Sequence, residues 1–465
     1  MAEQDELDIV AEPTHDEDNR LNSDFVTAVV DAVADGDVEG ARALVSPLHP
    51  ADIADLFELA PGDRRKAIAS ALHGMIDGEV LAEMNDWVRD ELMEALGPQE
   101  VADIATLLDT DDAVAIIEDM DADDQREVLR ALAPDDRAAI EEALGYPEES
   151  AGRLMQRDLI AVPEHLSVGD VLDYLRHNED LTTDFWEIYV VDPSHRPIGT
   201  CKLSWILRTP RSVAIADVMA REQTLIPVDM DQEEVALRFQ KYALISAAVI
   251  DSAGRLVGMI TVDDVVHIIQ EEAGEDILRL SGAGDGDINE PILQTIRTRL
   301  QWLVVNLGTA VLAASVVGLF EATISRLVML AVLMPIVSGM GGNAGTQTMA
   351  VSVRALALNE LTSSNAKRMI WREFRIAVTN GCVLGLMIGI AVATVYGNRD
   401  LGMVICAAMI INNMTAGLAG ILVPIGLDKA GADPAVSSAV FVTTLTDVMG
   451  FFSFLGLATW WGVQA

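Results

Sequence analysis

Cysteine and basic residues are scarce in this chain of 465 residues. The three cysteines (Cys201, Cys382 and Cys406) are scattered without a CxxC spacing, which argues against a disulfide framework and against a zinc site. Lys and Arg number 31 against 73 Asp and Glu, giving a net charge of -42. Because binding to phosphates needs a basic surface, no nucleic acid is expected as the main partner.

Recognisable catalytic motifs are also missing. The sequence contains no nucleophile–base set and no phosphate-binding loop, and its seven histidines lie far apart along the chain. It also lacks the Walker motif or phosphorylated-Asp motif that an energised pump would need. We therefore predict neither an enzyme nor a pump driven by ATP.

Charge is distributed very unevenly along the chain. Residues 291–465 hold seven acids and ten bases, so residues 1–290 hold 66 acids and 21 bases, a net charge of -45. This pattern predicts a strongly acidic soluble part followed by an apolar part. Residues 1–21 are acidic enough that we expect a disordered tail there.

Five apolar runs in the second part are long enough to cross a bilayer. Four carry no charge, and the fifth is interrupted only by Asp447. The runs are Gln301–Phe320, Leu327–Val353, Ile376–Asn398, Leu401–Leu427 and Pro434–Ala465. Since a spanning helix needs about 20 residues, we predict an all-α domain of five transmembrane helices over residues 293–465, embedded in a lipid bilayer.

The orientation of these spans follows from the basic residues in the loops. The loop between the second and third spans holds five bases, whereas the loops after the first and third spans hold one each. The five bases are Arg354, Lys367, Arg368, Arg372 and Arg375. Basic loops stay in the cytoplasm, so we expect a cytoplasmic N-terminus and an outside C-terminus.

Polar residues within the spans are candidates for an ion site. Asp447 lies near the middle of the fifth span, where a charge costs about 2.5–3.5 kcal/mol to insert. The second span contains MPIVSGMGGNAGTQT, in which Gly342, Asn343 and Thr346 combine close backbone approach with neutral oxygens. Three asparagines of later spans repeat the theme (Asn380, Asn412 and Asn413). Such oxygens suit a hard cation. A hydrogen-bonded Asp and small-residue helix packing are the structural alternatives.

Two regions divide the acidic part. Residues 22–150 carry apolar residues at helical spacing and repeat the phrases LHPADIAD, LGPQEVAD and LAPDDRAA, in which each Pro should start a helix. We predict an α-helical solenoid N domain.

Residues 151–270 contain two copies of one layout, which consists of a helix, a β-run, a turn, a second β-run and a second helix. The first β-run begins at Ile188 in one copy and at Ala247 in the other. These copies resemble a tandem pair of α/β CBS domains.

The CBS resemblance carries a nucleotide-binding signature. The family's Thr/Ser-x-x-Asp is present in the second copy as Thr261 and Asp264, whereas Ser204 of the first copy is followed by Leu207. The resemblance implies an adenosyl ligand, with ATP as the candidate, at Thr261 and Asp264.

Residues 264–292 form an acidic connecting segment. At helical spacing, Asp264, His267, Glu271 and Glu275 share one face, while Glu272 and Asp276 form a neighbouring pair. Like charges at this spacing destabilise a helix by about 0.2–0.5 kcal/mol per pair. We predict a connecting helix whose carboxylates either bind a divalent cation or form a solvated face.

Together these parts resemble the MgtE family of magnesium channels, through GMGGNAGTQ, ITVDDVVHIIQEEAGEDI and DPAVSSAVFVTTLTD. The resemblance implies a multi-pass homodimer of a bacterial inner membrane. Its one pore, lined by the second and fifth spans, would hold a hydrated Mg²⁺ at Asp447.

The same resemblance implies carboxylates that sense cytosolic Mg²⁺. Those on the connecting helix are Asp264, Glu272, Glu275 and Asp276, and those elsewhere are Glu233, Glu234, Asp111 and Asp112. At low Mg²⁺ the acidic part repels itself, and Mg²⁺ that bridges its carboxylates would close the pore.

The expected function is a Mg²⁺-selective, Mg²⁺-gated channel for magnesium uptake and homeostasis. A secondary transporter that exchanges Mg²⁺, Co²⁺ or Mn²⁺ for Na⁺ or H⁺ remains the alternative, because an intramembrane Asp could carry protons. A CBS-regulated anion channel is disfavoured by that same Asp447.

Overall fold

The computed structural model describes residues 14–16, 20–93, 98–118, 120–178, 185–281, 292–362 and 364–462. Sixteen of the 21 residues of the predicted disordered tail lie outside the described residues. Of the other five, Leu21 is buried in the apolar core and His15 is hydrogen-bonded to Asp52. The chain divides into two compact units, Met1–Ile269 and Gln270–Ala465.

The first unit begins with ten short helices among its described residues. They are α1 Ser23–Ala34, α2 Val38–Val45, α3 Pro50–Leu59, α4 Gly62–Ala71, α5 Gly78–Ala82, α6 Asp86–Met93, α7 Pro98–Ala105, α8 Thr110–Glu118, α9 Ala122–Ala131 and α10 Pro134–Ala143. Pro50, Pro98 and Pro134 each begin a helix, as the repeated phrase predicts. The fixed φ of proline suits the first helical position, where its missing N–H costs nothing. One apolar core, with Phe57 and Ile117 fully buried, holds these helices together.

Two three-stranded sheets follow. The first contains β1 Ala161–Pro163, β2 Glu187–Val191 and β3 Pro197–Lys202, and the second contains β4 Leu225–Pro227, β5 Ser246–Ile250 and β6 Leu256–Thr261. The helices of this region are α11 Val168–His177, α12 Leu203–Arg208, α13 Ile215–Val218 and α14 Gln232–Tyr242. In each sheet the short first strand runs parallel to the middle strand, which is antiparallel to the third.

The two copies pack against each other through their sheets. A shared apolar cluster joins Tyr189 and Val191 of β2 to Ala248 of β5 and Met259 of β6. The buried Tyr189 hydroxyl donates to Ser246 Oγ over 3.2 Å. The predicted tandem α/β pair is therefore present as one packed body.

Helix α15, Val262–Ser281, follows β6 without an intervening loop. It starts two residues before the predicted connecting segment at 264, and residues 282–291 of that segment lie outside the described residues. Its second half belongs to the second unit. There Leu280 packs against a cluster that includes Met349, Val353 and Ala435.

The second unit contains five helices long and apolar enough to cross a membrane, among the residues that the structure describes. They are α16 Ile292–Gly318, α18 Met329–Ala357, α19 Ala366–Val395, α20 Arg399–Lys429 and α21 Pro434–Trp461, with a short α17 Glu321–Arg326 between the first two. Each of the five predicted apolar runs is therefore found in a long helix.

These helices pack very unequally within the chain. The most apolar window of α20 is 61% buried, whereas that of α16 is 6% buried. Helix α20 is thus the centre around which α18, α19 and α21 pack, and α16 leaves most of its surface uncovered by this chain.

Candidate functional site

The intramembrane carboxylate of Asp447 is held by a hydroxyl from another helix. Asp447 of α21 is half-buried, and its Oδ1 accepts a hydrogen bond from Ser338 Oγ of α18. Ser338 itself is buried. A polar group in hydrocarbon is tolerated where it is paired or faces a water-filled cavity, and Asp447 retains a second oxygen for another ligand.

Helix α18 presents an exposed polar face beside this pair. Asn343, Thr346 and Gln347 are exposed, and Gly342 is half-exposed. The Thr346 hydroxyl donates to the Gly342 carbonyl of its own helix over 3.0 Å. Because lipid cannot satisfy exposed amides at membrane depth, this face requires water or another polypeptide against it.

The asparagines of the spans divide into three kinds. Asn380 is exposed on α19. The Asn412 side chain, fully buried on α20, donates from Nδ2 to the Val337 carbonyl of α18 over 2.8 Å. The neighbouring Asn413 is equally buried, but it donates to the Met409 carbonyl of its own helix over 2.9 Å. Asn412 therefore ties two helices together, whereas the hydrogen bond described for Asn413 stays within α20.

A cluster of carboxylates forms in the first unit, where α8 and the start of α15 approach. Burial and the nearby charges of Asp264 and Asp112 raise the pKa of Asp111 well above its usual range. Burial, followed by the charges of Asp264 and Asp109, raises the pKa of Asp112 to about 7. The structure thus brings together three of the predicted sensing residues, and it adds Asp109, which the sequence analysis did not select.

Asp264 sits at the centre of this cluster and also caps its own helix. Burial raises its pKa to about 6, against the lowering effect of hydrogen bonds from Thr261. The Thr261 hydroxyl donates to Asp264 Oδ2 over 2.7 Å. Since Thr261 immediately precedes α15, the Asp264 carboxylate bonds back to the start of its own helix, which is one half of a capping box.

The remaining predicted sensing residues lie elsewhere. Glu233 and Glu234 occupy the first turn of α14, where acids suit the helix dipole, and Glu234 pairs with Arg238 over 2.8 Å. Neither is among the main charges that shift the pKa values of the cluster. Glu272 is half-buried on α15, and the side chain of Asp276 lies outside the described residues.

Glu275 already has a basic partner. It pairs with Arg279 one turn later on α15. Arg279 also contacts Asp433 Oδ2 through Nη1 over 2.9 Å, and Asp433 caps α21 by accepting the Ala435 N–H. The guanidinium thus links α15 to the start of the helix that carries Asp447. Arg279 could not be selected from the sequence, because nothing in its local pattern indicates a contact 154 residues away.

No group of three or more His, Cys, Asp or Glu side chains in the described part of the chain is arranged to hold a metal ion directly. The acidic cluster is thus defined by mutual repulsion among its carboxylates, and its members do not converge as a ready-made ligand shell.

Fold and site together define a class of protein: a multi-pass membrane protein with a carboxylate within its spans and an acidic, CBS-containing region outside them. Family models support this class. A model for a divalent cation transporter matches residues 334–457, one for the MgtE intracellular N domain matches 48–149, and one for a CBS domain matches 215–271.

Relatives extend the similarity over most of the chain. The magnesium transporter MgtE of Enterococcus faecalis is 33% identical over 69% of this chain and 71% of its own length. That of Bacillus subtilis is 28% identical over 95% of this chain and 98% of its own. A solved cytosolic domain of the Mg²⁺ channel MgtE in complex with ATP is 29% identical, covering 52% of this chain and 99% of its own, with a TM-score of 0.49. The chain belongs to the MgtE family of magnesium transporters.

Proposed function

We propose that the chain works as a Mg²⁺-selective channel for magnesium uptake, assembled as a homodimer with its pore between α18 and α21. The observation that carries this proposal is the exposed polar face of α18, with Asn343 and Thr346, beside the Asp447 carboxylate. Two copies of this face around a two-fold axis would enclose a polar path. Mg²⁺ gives up its waters reluctantly, so a hydrated ion on carboxylate and neutral oxygens suits the path.

The uncovered surface of α16 supports a second copy. Only 6% of its most apolar window is buried by its own chain, in contrast to 61% for α20. Both the polar face of α18 and the uncovered α16 are therefore surfaces that a partner protomer could cover. Arg354 near the end of α18 and four bases in the first three turns of α19 flank the connection between these helices, which supports a cytoplasmic N-terminus in a bacterial inner membrane.

Gating by Mg²⁺ is proposed to act through the cluster of Asp111, Asp112 and Asp264. Burial and the charges of neighbouring carboxylates raise the pKa of each of these three groups, so holding them together in the charged form is unfavourable. A divalent cation that binds the cluster would offset this cost. A hydrated Mg²⁺ keeps several of its waters, so it does not need three carboxylates that point at one position. For Mg²⁺ to close the pore, it must bind the closed state more tightly than the open state.

ATP binding at Thr261 and Asp264 stays a prediction. The hydroxyl and the carboxylate already bond each other as the cap of α15. A nucleotide would have to share both groups with this cap, and it would also share Asp264 with the acidic cluster.

The test of the transport proposal is the current carried by purified protein in planar lipid bilayers, with Asp447→Asn compared to wild type. Asp400→Asn, at an exposed acid in the first turn of α20, is the matched control. We expect Mg²⁺ current in wild type and in the control, its loss in Asp447→Asn, and a fall in wild-type current as cytoplasmic Mg²⁺ rises.

The same recording separates the channel from the exchanger. A channel gives a current that reverses at the Mg²⁺ equilibrium potential. Mg²⁺ flux that requires a Na⁺ or H⁺ gradient would instead favour exchange. Undiminished current in Asp447→Asn would remove Asp447 from the pore and leave it as a packing residue.

A further inference from the structure

The weakest stretch of α18 lies where that helix approaches Asp447. Within eleven residues α18 contains Pro335, Gly339, Gly341, Gly342 and Gly345. Proline removes a backbone hydrogen bond and glycine has a low helix propensity. Contacts with other helices must therefore fix this stretch, and Ser338, the hydrogen-bond partner of Asp447, lies within it.

A side-chain hydrogen bond from Asn412 of α20 connects that helix to this stretch. Asn412 is 0% exposed, and its Nδ2 donates over 2.8 Å to the carbonyl of Val337, the residue before Ser338. Its Oδ1 is buried and has no hydrogen-bond partner among the described residues. A buried oxygen without a partner costs free energy. The Nδ2 hydrogen bond to Val337 must therefore be the reason that an amide occupies this position.

Two glycines of neighbouring helices leave room for the same amide. A Cβ added at Gly341 of α18 would collide with Asn412 Nδ2, and one added at Gly450 of α21 would lie 2.8 Å from it. Gly450 follows Asp447 by about one helical turn. The Asn412 amide therefore fills the space where α18, α20 and α21 meet, beside both partners of the Ser338–Asp447 pair.

We infer that Asn412 is a positioning residue of the ion path: it fixes the spacing and register of α18 against α21 and thereby the placement of the Asp447 carboxylate. This inference rests on the proposed function of Asp447. It assigns Asn412 no contact with the ion. Because the selectivity of a hydrated-ion site depends on the spacing of its ligands, the consequence is discrimination between Mg²⁺ and the larger Ca²⁺.

The test compares Asn412→Leu with Asn413→Leu in full-length protein reconstituted in lipid bilayers. The two positions are adjacent and fully buried, and each has a hydrogen-bonded Nδ2 and an Oδ1 without a partner in the described part of the chain, so the two variants should lose similar thermal stability. Because a buried hydrogen bond is worth about a three- to tenfold change in an equilibrium, we expect the Mg²⁺/Ca²⁺ permeability ratio to fall by about that factor in Asn412→Leu only.

A second pair of variants separates steric fit from the hydrogen bond. Gly341→Ala alone should lower the melting temperature, since the added methyl group collides with the Asn412 amide. In Gly341→Ala/Asn412→Ala the collision is gone, so the fall in melting temperature should be smaller than the sum of the falls in Gly341→Ala and Asn412→Ala. The permeability ratio should nevertheless be low in the double variant, because alanine at position 412 cannot donate a hydrogen bond to the Val337 carbonyl.

Two results would overturn the inference while leaving the proposed function intact. One is an unchanged permeability ratio in Asn412→Leu when Asp447→Asn has lost its current. The other is an equal fall of the ratio in Asn413→Leu, which would reduce both asparagines to a general packing role. Undiminished current in Asp447→Asn would instead contradict the proposed function itself.

Discussion

Asp264 illustrates how several demands meet on one side chain. It forms one half of a capping box with Thr261, it belongs to the acidic cluster, and it occupies the nucleotide-binding signature of the CBS family. Local sequence reveals the capping box and the signature equally well, because both need the same spacing. Only the fold brings Asp264 near Asp111 and Asp112, which lie about 150 residues earlier.

The first prediction at this scale concerns pH. A carboxyl group whose pKa is raised by folding stabilises the folded state below its usual pKa, and this contribution is lost as the pH rises through the raised value. For Asp112 the window extends from about 4 to about 7, and for Asp264 to about 6. Without Mg²⁺, hydrogen exchange over residues 110–118 of the full-length protein, corrected for intrinsic rates, should accelerate about tenfold from pH 5 to pH 8.

Asp112→Asn should flatten this pH profile, because it removes the charge and keeps the shape. Asp135→Asn is the matched control, since Asp135 is an exposed acid in the first turn of α10. Equal profiles in wild type and Asp112→Asn would show that the cluster does not control local stability.

Residue partners across the chain were the hardest to predict. Ser338 lies within the segment that the sequence analysis selected, but its bond to Asp447 joins positions 109 residues apart. The Arg279–Asp433 pair is similarly remote. Spacing along a helix predicts neighbours within that helix, and it carries no information on which face meets which other helix.

At the scale of elements, length decided what the sequence could predict. The five spans are long uninterrupted apolar runs, and all five are found as helices. The prolines of the repeated phrase correctly mark the starts of α3, α7 and α10. By contrast β1 and β4, of three residues each, were not predicted, because a strand that short shows no alternation.

The attachment of α15 gives the prediction at this scale. Arg279→Gln removes the pairs with Glu275 and Asp433, while Leu280 keeps its apolar contacts. Half-exposed ion pairs contribute about 0.2–1 kcal/mol each, so the loss of both pairs should accelerate hydrogen exchange over residues 270–281 by about two- to thirtyfold.

Coupling between the partners can be isolated with Asp433→Asn, which preserves the cap of α21 because Asn is an equally good N-cap. The double variant Arg279→Gln/Asp433→Asn should exchange no faster than Arg279→Gln alone, because Arg279→Gln already removes the pair with Asp433. Additive effects would mean that the two side chains act independently. Arg326→Gln, at an exposed base of α17, should leave exchange over residues 270–281 unchanged.

At the scale of the whole molecule, charge and packing each divide the chain in two, at different positions. Charge places the boundary after residue 290, whereas the compact units meet after Ile269. The difference lies in the second half of α15, whose Leu280 and Arg279 contact residues of the membrane unit. Composition groups residues by solvent preference, and packing groups them by contact.

The prediction for the whole molecule concerns magnesium removal. Residues 1–290 carry a net charge of -45, so any salt should relieve some repulsion. If Mg²⁺ binds specifically, its effect on the unfolding of residues 20–269 should exceed that of Na⁺ at equal ionic strength. A ligand at 100 times its Kd stabilises by about 2.7 kcal/mol.

Thermal unfolding followed by hydrogen exchange in Mg²⁺, in Na⁺ and after chelation would measure this difference. In Asp111→Asn/Asp112→Asn/Asp264→Asn, the gain from Mg²⁺ should fall to that from Na⁺. Equal stabilisation by both salts in wild type would reduce the effect of Mg²⁺ to screening.

The close packing of α19 on α20 has a consequence for biosynthesis. A Cβ at Gly385 would lie 2.7 Å from the Cys406 carbonyl, and one at Gly389 would lie 2.7 Å from that of Gly402, so the two backbones nearly touch. Only residues 396–398 separate the two helices. Small residues at four-residue spacing promote such contact in lipid. These consecutive helices can therefore pair as a hairpin as soon as α20 has been inserted into the membrane. Helix α21, which is synthesised later, can then pack against the assembled pair.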